Sequence, residues 1–235
     1  MWELTERAGA HVREVAQTGS TNRDLAAAAA GGDVRHLDVL LTRDQRAGRG
    51  RLDRVWQAPP GSGLAVSVAL HVDAIPPASR GWIPLLAGVA MAGAAGAQLT
   101  GHEAGVKWPN DVLVDGRKLC GILAEGTVEP GLVVVGAGVN TAMAEADLPV
   151  PTATSFAALG ATCDEDRLLA DYLTALDAVT ARCVTLGQEV GVSMPDGSTL
   201  EGLAEAIDPT GRLVVRTPSG PHPVSAGDVV HVRPA

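Results

Sequence analysis

Aromatic side chains are scarce in this sequence: one Phe, one Tyr and four Trp make up 3% of 235 residues. The core must therefore be assembled from small aliphatic side chains. Hydrophobic residues amount to 46%, much of it Ala and Val, which is ample for the purpose. Cysteine is rare as well. Cys120, Cys163 and Cys183 lie far apart with no CxxC pair, which argues against a disulfide framework or a thiolate zinc site and fits reduced thiols in a cytoplasmic protein. No uncharged apolar run of about 18 residues reads as a membrane span. The nearest, Trp82 to Leu99, is interrupted by Pro84, Gly88, Gly93 and Gly96 and reads as a buried Ala/Gly-rich helix. Residues 1–17 are charged and lack an apolar segment, so no secretory signal is expected. Positive charge is also in deficit, with a net charge of −9. The field of an acidic body repels nucleic acid and anionic membrane, and neither is expected as a partner.

Against that background one stretch stands out. Four arginines (Arg46, Arg49, Arg51, Arg54) fall within nine residues, interleaved with Gly48 and Gly50 and closed by Trp56. Glycine lets a backbone approach a ligand closely, and the arginine fork suits phosphate and carboxylate oxygens. A local cationic island on an acidic chain suits a small anion better than a duplex. Trp56 either offers its face to a purine or anchors the loop by packing.

The rest of the chain frames this loop. Residues 12–17 read as a short strand, and Leu37 to Thr42 as another. Between them Gly19-Ser20-Thr21-Asn22 precedes an alanine run ended by Gly31-Gly32, a helix with its stop. Thr21 with Asp24 has capping-box spacing. The triplet either caps the helix only, or caps it with one hydroxyl while a neighbour meets a polar ligand. Leu64 to Val72 reads as a strand and residues 79–99 as the small-residue helix. In Val106-Lys107-Trp108-Pro109-Asn110-Asp111 the proline excludes a helix interior and leaves Lys107 at a strand end beside a bend. A hairpin over Asp115-Gly116 joins 112–114 to 118–124, and Leu132 to Val139 is an apolar strand ending at Asn140. Tight turns between strands make part of the sheet antiparallel. The expected fold is α+β, a mixed sheet with helices packed on one face of it. Asp164 to Leu186 has helical spacing. Beyond it, short strands at 190–192, 200–202, 212–216 and 229–232, split by Gly-containing turns, suggest a small barrel of about five strands. The boundary is placed between a catalytic domain, 1–186, and this unit, 187–235.

Taken together, Gly19-Ser20-Thr21-Asn22, Gln45, Gly48-Arg49-Gly50-Arg51 with Arg54 and Trp56, Lys107-Trp108-Pro109-Asn110-Asp111, Lys118 to Glu125 and Gly136 to Asn140 resemble the biotin protein ligases, in a form without an N-terminal DNA-binding domain. The resemblance implies a class II synthetase-like sheet with a small SH3-like C-terminal barrel. It implies biotin and ATP as substrates, magnesium with the nucleotide, and biotinyl-5′-AMP as intermediate. The acyl group then passes to a lysine of a biotin carboxyl carrier domain. It further implies a cytoplasmic monomer or weak homodimer that binds neither nucleic acid nor membrane, and no resident metal site. By residue, it implies Lys107 between the carboxylate and the α-phosphate, and Arg49 and Arg51 with the Gly48 and Gly50 amides around the adenylate. Arg54 is expected at phosphate or within the loop. Ser20, Thr21 and Gln45 are expected at the ureido ring, which needs donors and acceptors without charge, and Asn22 is expected among the binding residues. Asn140 either reaches the nucleotide or caps its strand. The sequence departs from the family pattern at Leu52-Asp53, where a glycine is common, and at Cys120, where a small apolar residue is usual. Cys120 reads as a core residue. A lipoate ligase or octanoyl transferase, a repressor, and a non-catalytic vitamin-binding module are the competing readings. Only about 18 residues precede Gly19, which is short for a DNA-binding module.

Overall fold

The computed structural model describes residues 2–72, 77–176, 188–208, 212–225 and 228–231. Helix α1 (Glu3–Arg7) leads to strand β1 (His11–Glu14), helix α2 (Thr21–Ala30) and strand β2 (Asp38–Thr42). The arginine stretch folds into a small hairpin of β3 (Gly48–Arg49) and β4 (Val55–Trp56), and β5 (Gly63–His71) follows. Helix α3 (Ile83–Gln98) is entered by a 3₁₀ turn, Pro77–Trp82. Pro84 sits in its first turn, where a missing N–H costs nothing. Then come β6 (Ala104–Lys107), β7 (Asp111–Val114), β8 (Arg117–Gly126), β9 (Leu132–Asn140) and helix α4 (Glu165–Ala175).

Seven strands form one sheet in the order β1-β2-β5-β9-β8-β7-β6. The β1–β2 pair is parallel and the remaining pairs are antiparallel, so the sheet is mixed. The β7–β8 turn uses Asp115 at φ 49° and Gly116 at φ 76°, the positive-φ pair that a tight hairpin requires.

The expectation of helices on one face is corrected. Side chains alternate across a strand. Val39, Leu41, Val66, Val68, Val135 and Ala137 share one cluster with α3 and α4. Leu40, Ala69, Leu132 and Val134 share a second cluster with Leu25 and Ala29 of α2. Thus α2 covers the opposite face from α3 and α4, and it covers only part of it. The uncovered remainder of that face is where the polar residues gather.

The apolar stripe of α4 packs Leu168, Leu169, Tyr172 and Leu173 into the core. The rest of the helical run expected to Leu186 lies outside the described residues, as does the boundary at 186/187. Beyond it β10 (Glu189–Ser193), β11 (Thr199–Ile207), β12 (Leu213–Thr217), β13 (Gly220–Val224) and β14 (Asp228–His231) form a second, antiparallel sheet. Strand β13 was not expected from the sequence. It carries Pro221 and Pro223, which a strand tolerates at an edge, and β13 is an edge of this sheet. Val190, Val192, Leu213 and Val215 are fully buried and belong to the same apolar cluster as the main core.

Candidate functional site

The polar end of the α2 face is built first by a helix start. Ser20, in extended conformation, is the N-cap, and its Oγ accepts the Arg23 N–H. The capping box expected from Thr21 and Asp24 is therefore not formed: the cap is one residue earlier, and Asp24 binds the Thr18 hydroxyl. This releases Thr21. Backbone bonds from Thr18 and Gly19 to the 44–47 segment bring Gln45 alongside. Gln45 Oε1 then accepts both the Thr21 N–H (2.8 Å) and the Thr21 hydroxyl (3.1 Å).

Below these lies the sheet. Ser67, the one hydroxyl in β5, is fully buried, 2.7 Å from Thr21 Oγ1 and 2.6 Å from Asn22 Oδ1. With one proton it serves one of them at a time. The Asn22 amide nitrogen donates to the Leu123 carbonyl (3.2 Å) and to Glu125 Oε2 (2.8 Å). The same carboxylate oxygen accepts from Arg49 Nη2 at 2.8 Å. Glycine at β9 makes room for all this. A Cβ on Gly136 would lie 2.2 Å from Asn22 Oδ1, and one on Gly138 would lie 2.5 Å from Trp56 Cε2.

The arginine hairpin closes the site from above. Arg49, Arg51 and Arg54 line the cavity with Gly50, Val55 and Trp56. The Gly50 N–H is used within the hairpin, donating to the Arg54 carbonyl at 2.6 Å. Gly48 sits outside the wall, in a space where a Cβ would lie 2.4 Å from the Trp56 carbonyl oxygen. Lys107, half-buried at the end of β6, lines the opposite side with buried Trp108 and with Asn110 and Asp111. The turn after it, through a cis Trp108–Pro109 bond, is tied to β8 by Asn110 Nδ2 to the Ile122 carbonyl at 2.6 Å.

The cavity so enclosed measures 320 Å³. Ser20, Thr21, Asn22, Gln45, Arg49, Gly50, Arg51, Arg54, Trp56 and Lys107 all reach it. Asn140 does not: it is buried and its Nδ2 donates to the Thr154 carbonyl at 2.9 Å, tying down the following loop. Asn110, Asp111, Lys118, Ser67 and Glu125 were given no role from the sequence. Lys118 lines the cavity and pairs with Asp111 at 2.6 Å. Ser67 and Glu125 complete the polar network. A lone serine inside an apolar strand was the available signal for Ser67. Cys120 is buried against the far face, and burial pushes its thiol up to about 12. It is a core residue.

Chemically, the cavity is lined by uncharged hydrogen-bonding groups (Ser20, Thr21, Gln45) and by cationic groups (Arg49, Arg51, Arg54, Lys107 and Lys118, the last paired with Asp111). It suits a ligand that is neutral and hydrogen-bonding at one end and anionic at the other. Comparison with known proteins agrees with that shape. Residues 16–140 match the Biotin/lipoate A/B protein ligase family, and residues 185–232 the Biotin protein ligase C terminal domain. The chain is 40% identical over 238 residues to the biotin–[acetyl-CoA-carboxylase] ligase of Mycobacterium tuberculosis, covering 93% of this chain and 88% of that one. It is 32% identical to the enzyme of the same name from Paracoccus denitrificans, covering 92% and 98%. The fold is similar to that of a biotin protein ligase from Aquifex aeolicus solved with biotin and ATP, with TM-score 0.78, 22% identity and coverage of 95% and 99%.

Proposed function

The chain belongs to the biotin protein ligases, and from that premise we propose how its own residues carry the reaction. It is an ATP-dependent biotin ligase. A carboxylate oxygen of biotin bonds to the α-phosphorus of ATP as the bond to pyrophosphate breaks. A lysine amine then bonds to the acyl carbon, loses a proton, and AMP leaves.

The observation that supports our assignment is one cavity lined both by neutral hydrogen-bonding groups and by cationic groups. The ureido ring would lie against Ser20, Thr21, Asn22 and Gln45. Because Thr21 already occupies the Gln45 oxygen, Gln45 would offer the ring its N–H₂. The carboxylate of biotin would then point toward Lys107. Two anions must meet there, and fixed positive charge at the reacting oxygens is the way to lower that barrier. Lys107 would touch both the carboxylate and the α-phosphate. Arg49, Arg51 and Arg54 would hold the phosphates, with Gly48 and Gly50 letting the strap approach, and Trp56 would stack on adenine. Asn140 would act at a distance, by securing the loop after β9.

Magnesium would enter with the triphosphate. Among the described residues no group of three or more His, Cys, Asp or Glu side chains forms a cation cage. The ion's ligands would be phosphate oxygens and water with one or two carboxylates, the usual pattern for this ion. We propose two units, 1–186 for the chemistry and 187–235 as the appended sheet, supported by the two separate strand sets. The acyl acceptor would be the lysine of a biotin carboxyl carrier domain. A cytoplasmic monomer or weak homodimer without nucleic acid is the reading that the net charge of −9 and the free thiols support. No helix among the described residues is long and apolar enough to cross a membrane.

ATP–pyrophosphate exchange measured with biotin and with lipoate tests the substrate: exchange with biotin alone is expected. Lys107→Met should lower that exchange by about 10²–10³, the usual cost of removing one charge-stabilising donor. Unchanged exchange in this variant would remove Lys107 from the chemistry.

A further inference from the structure

We propose that Glu125 is a positioning residue that holds the Arg49 guanidinium and couples the ring end of the cavity to its phosphate end. The proposal rests on the ligase reading and deepens it.

A carboxylate beside a site for a triphosphate needs a reason. By charge alone it weakens the attraction on which phosphate binding relies. Its geometry supplies the reason. One oxygen, Glu125 Oε2, accepts from Asn22 Nδ2 and from Arg49 Nη2, each at 2.8 Å. Asn22 is 6% exposed and is held on a second side by the Leu123 carbonyl. It therefore fixes the carboxylate, and the carboxylate fixes the arginine fork. The Arg49–Glu125 pair is 41% and 29% exposed, which makes it a weak contributor to stability but a sound means of orientation.

The same contacts continue backwards. Asn22 meets Ser67, Ser67 meets Thr21, and Thr21 meets Gln45. With the Gln45 oxygen held by the Thr21 N–H, the Thr21 hydroxyl can donate to Ser67 and Ser67 to Asn22 Oδ1, and in that proton arrangement a polar chain runs from the groups assigned to the ureido ring to the first arginine assigned to phosphate. The missing side chain at Gly136 leaves the space that Asn22 occupies, since a Cβ there would overlap Oδ1 at 2.2 Å. A ring seated on Thr21 and Gln45 immobilises the near end of this chain. Arg49 at the far end then has less freedom to lose when phosphate arrives. Each substrate tightens the other by the same factor, as linkage requires.

The test is titration calorimetry of biotin with and without α,β-methylene ATP, on wild type and Glu125→Gln. The amide can still accept from Asn22, but it brings no charge to Arg49. The wild type should show a coupling of about 5–150-fold, the common range for linked sites. In Glu125→Gln the coupling should fall to about threefold or less, and the ATP KM should rise about tenfold. The affinity for biotin alone should stay within about threefold of wild type. Glu125→Asp should recover part of the coupling, which a purely structural role would not produce. Full coupling and an unchanged ATP KM in Glu125→Gln would overturn the proposal. Should that variant fail to fold, Gly136→Ala breaks the chain at Asn22 instead and must show the same loss. Biotin-dependent pyrophosphate exchange by the wild type stands as a separate control: its absence would sink the ligase assignment, whereas its presence with unaltered coupling would sink only the role of Glu125.

Discussion

The indole of Trp56 lies against the backbone of Gly138, so close that a Cβ on the glycine would stand 2.5 Å from Cε2. One indole edge also approaches Gly63, where a Cβ would lie 3.5 Å from Cη2. The ring is thus seated on the sheet, and its remaining surface lines the cavity. Packing and base stacking, which from sequence stood as alternatives, are compatible here, because one face anchors the loop while the other stays available. Gly138→Ala should lift the indole off the strand. Losing one stacking contact is worth about 1–3 kcal/mol, so the ATP KM should rise about tenfold. Biotin affinity should hold. Steady-state kinetics with each substrate varied checks both; an unaltered ATP KM would refute the platform role.

The strap pairs with itself over a short length. Its hairpin is two residues on each side, Leu52 at its tip has φ 55°, and Leu52 and Val55 are 55% and 69% exposed. Short pairing and exposed apolar side chains describe a segment of low local stability. Ligand phosphates would add fastenings at Arg49, Arg51 and Arg54. Trypsin should therefore cut between Arg46 and Arg54 in the free protein and be slowed at least about tenfold by biotin with ATP, as a bound segment opens less often. Mass spectrometry of timed digests identifies the sites. Equal rates in both states would mean the strap does not close on the adenylate.

The thiols offer a check on the core. Burial pushes Cys120 up to about 12, and Cys163 likewise up to about 12 with Glu165 and Asp164 adding to it. Both stay neutral thiols at pH 8. Iodoacetamide at that pH should leave Cys120 unmodified in the native protein, read by peptide mapping. The folded-state value lies above the unfolded one of about 8.5. The neutral thiol's contribution is therefore complete below that pH and is lost progressively as pH rises toward 12. Cys120→Ala should flatten the fall of Tm above pH 9 and leave the rate of biotin activation within about twofold, as expected for a buried group outside the cavity. A large loss of activation would return Cys120 to the list of reacting groups.

Much of this protein was legible along the chain. The Asp115-Gly116 turn, the bend after Lys107, the helix ended by Gly31-Gly32 and the cationic strap each follow from local rules, in which φ preference, a missing N–H or a cap is decided by a few neighbouring residues. The helix start was off by one position, since Ser20 and Thr21 are chemically equivalent caps and only the pull of Gln45 on Thr21 distinguishes them. The side of the sheet that α2 covers was not legible at all. Strands buried on both faces read as continuous apolar runs, and the period that would reveal a face is hidden.

The amino-acid sequence determined the chemical types available and their spacing: a flexible run of guanidinium groups, one ammonium before a proline bend, hydroxyls at a helix start. These are covalent facts with local consequences. Tertiary structure alone decided which groups meet. Strand register brought Ser67 of β5, Gly136 of β9 and Glu125 of β8 to Asn22, and the same register buried Asn140 away from the cavity. Side-chain direction alternates along a strand, so Gly136, Gly138 and Asn140 share one face of β9, and position along the strand leaves Asn140 beyond the cavity.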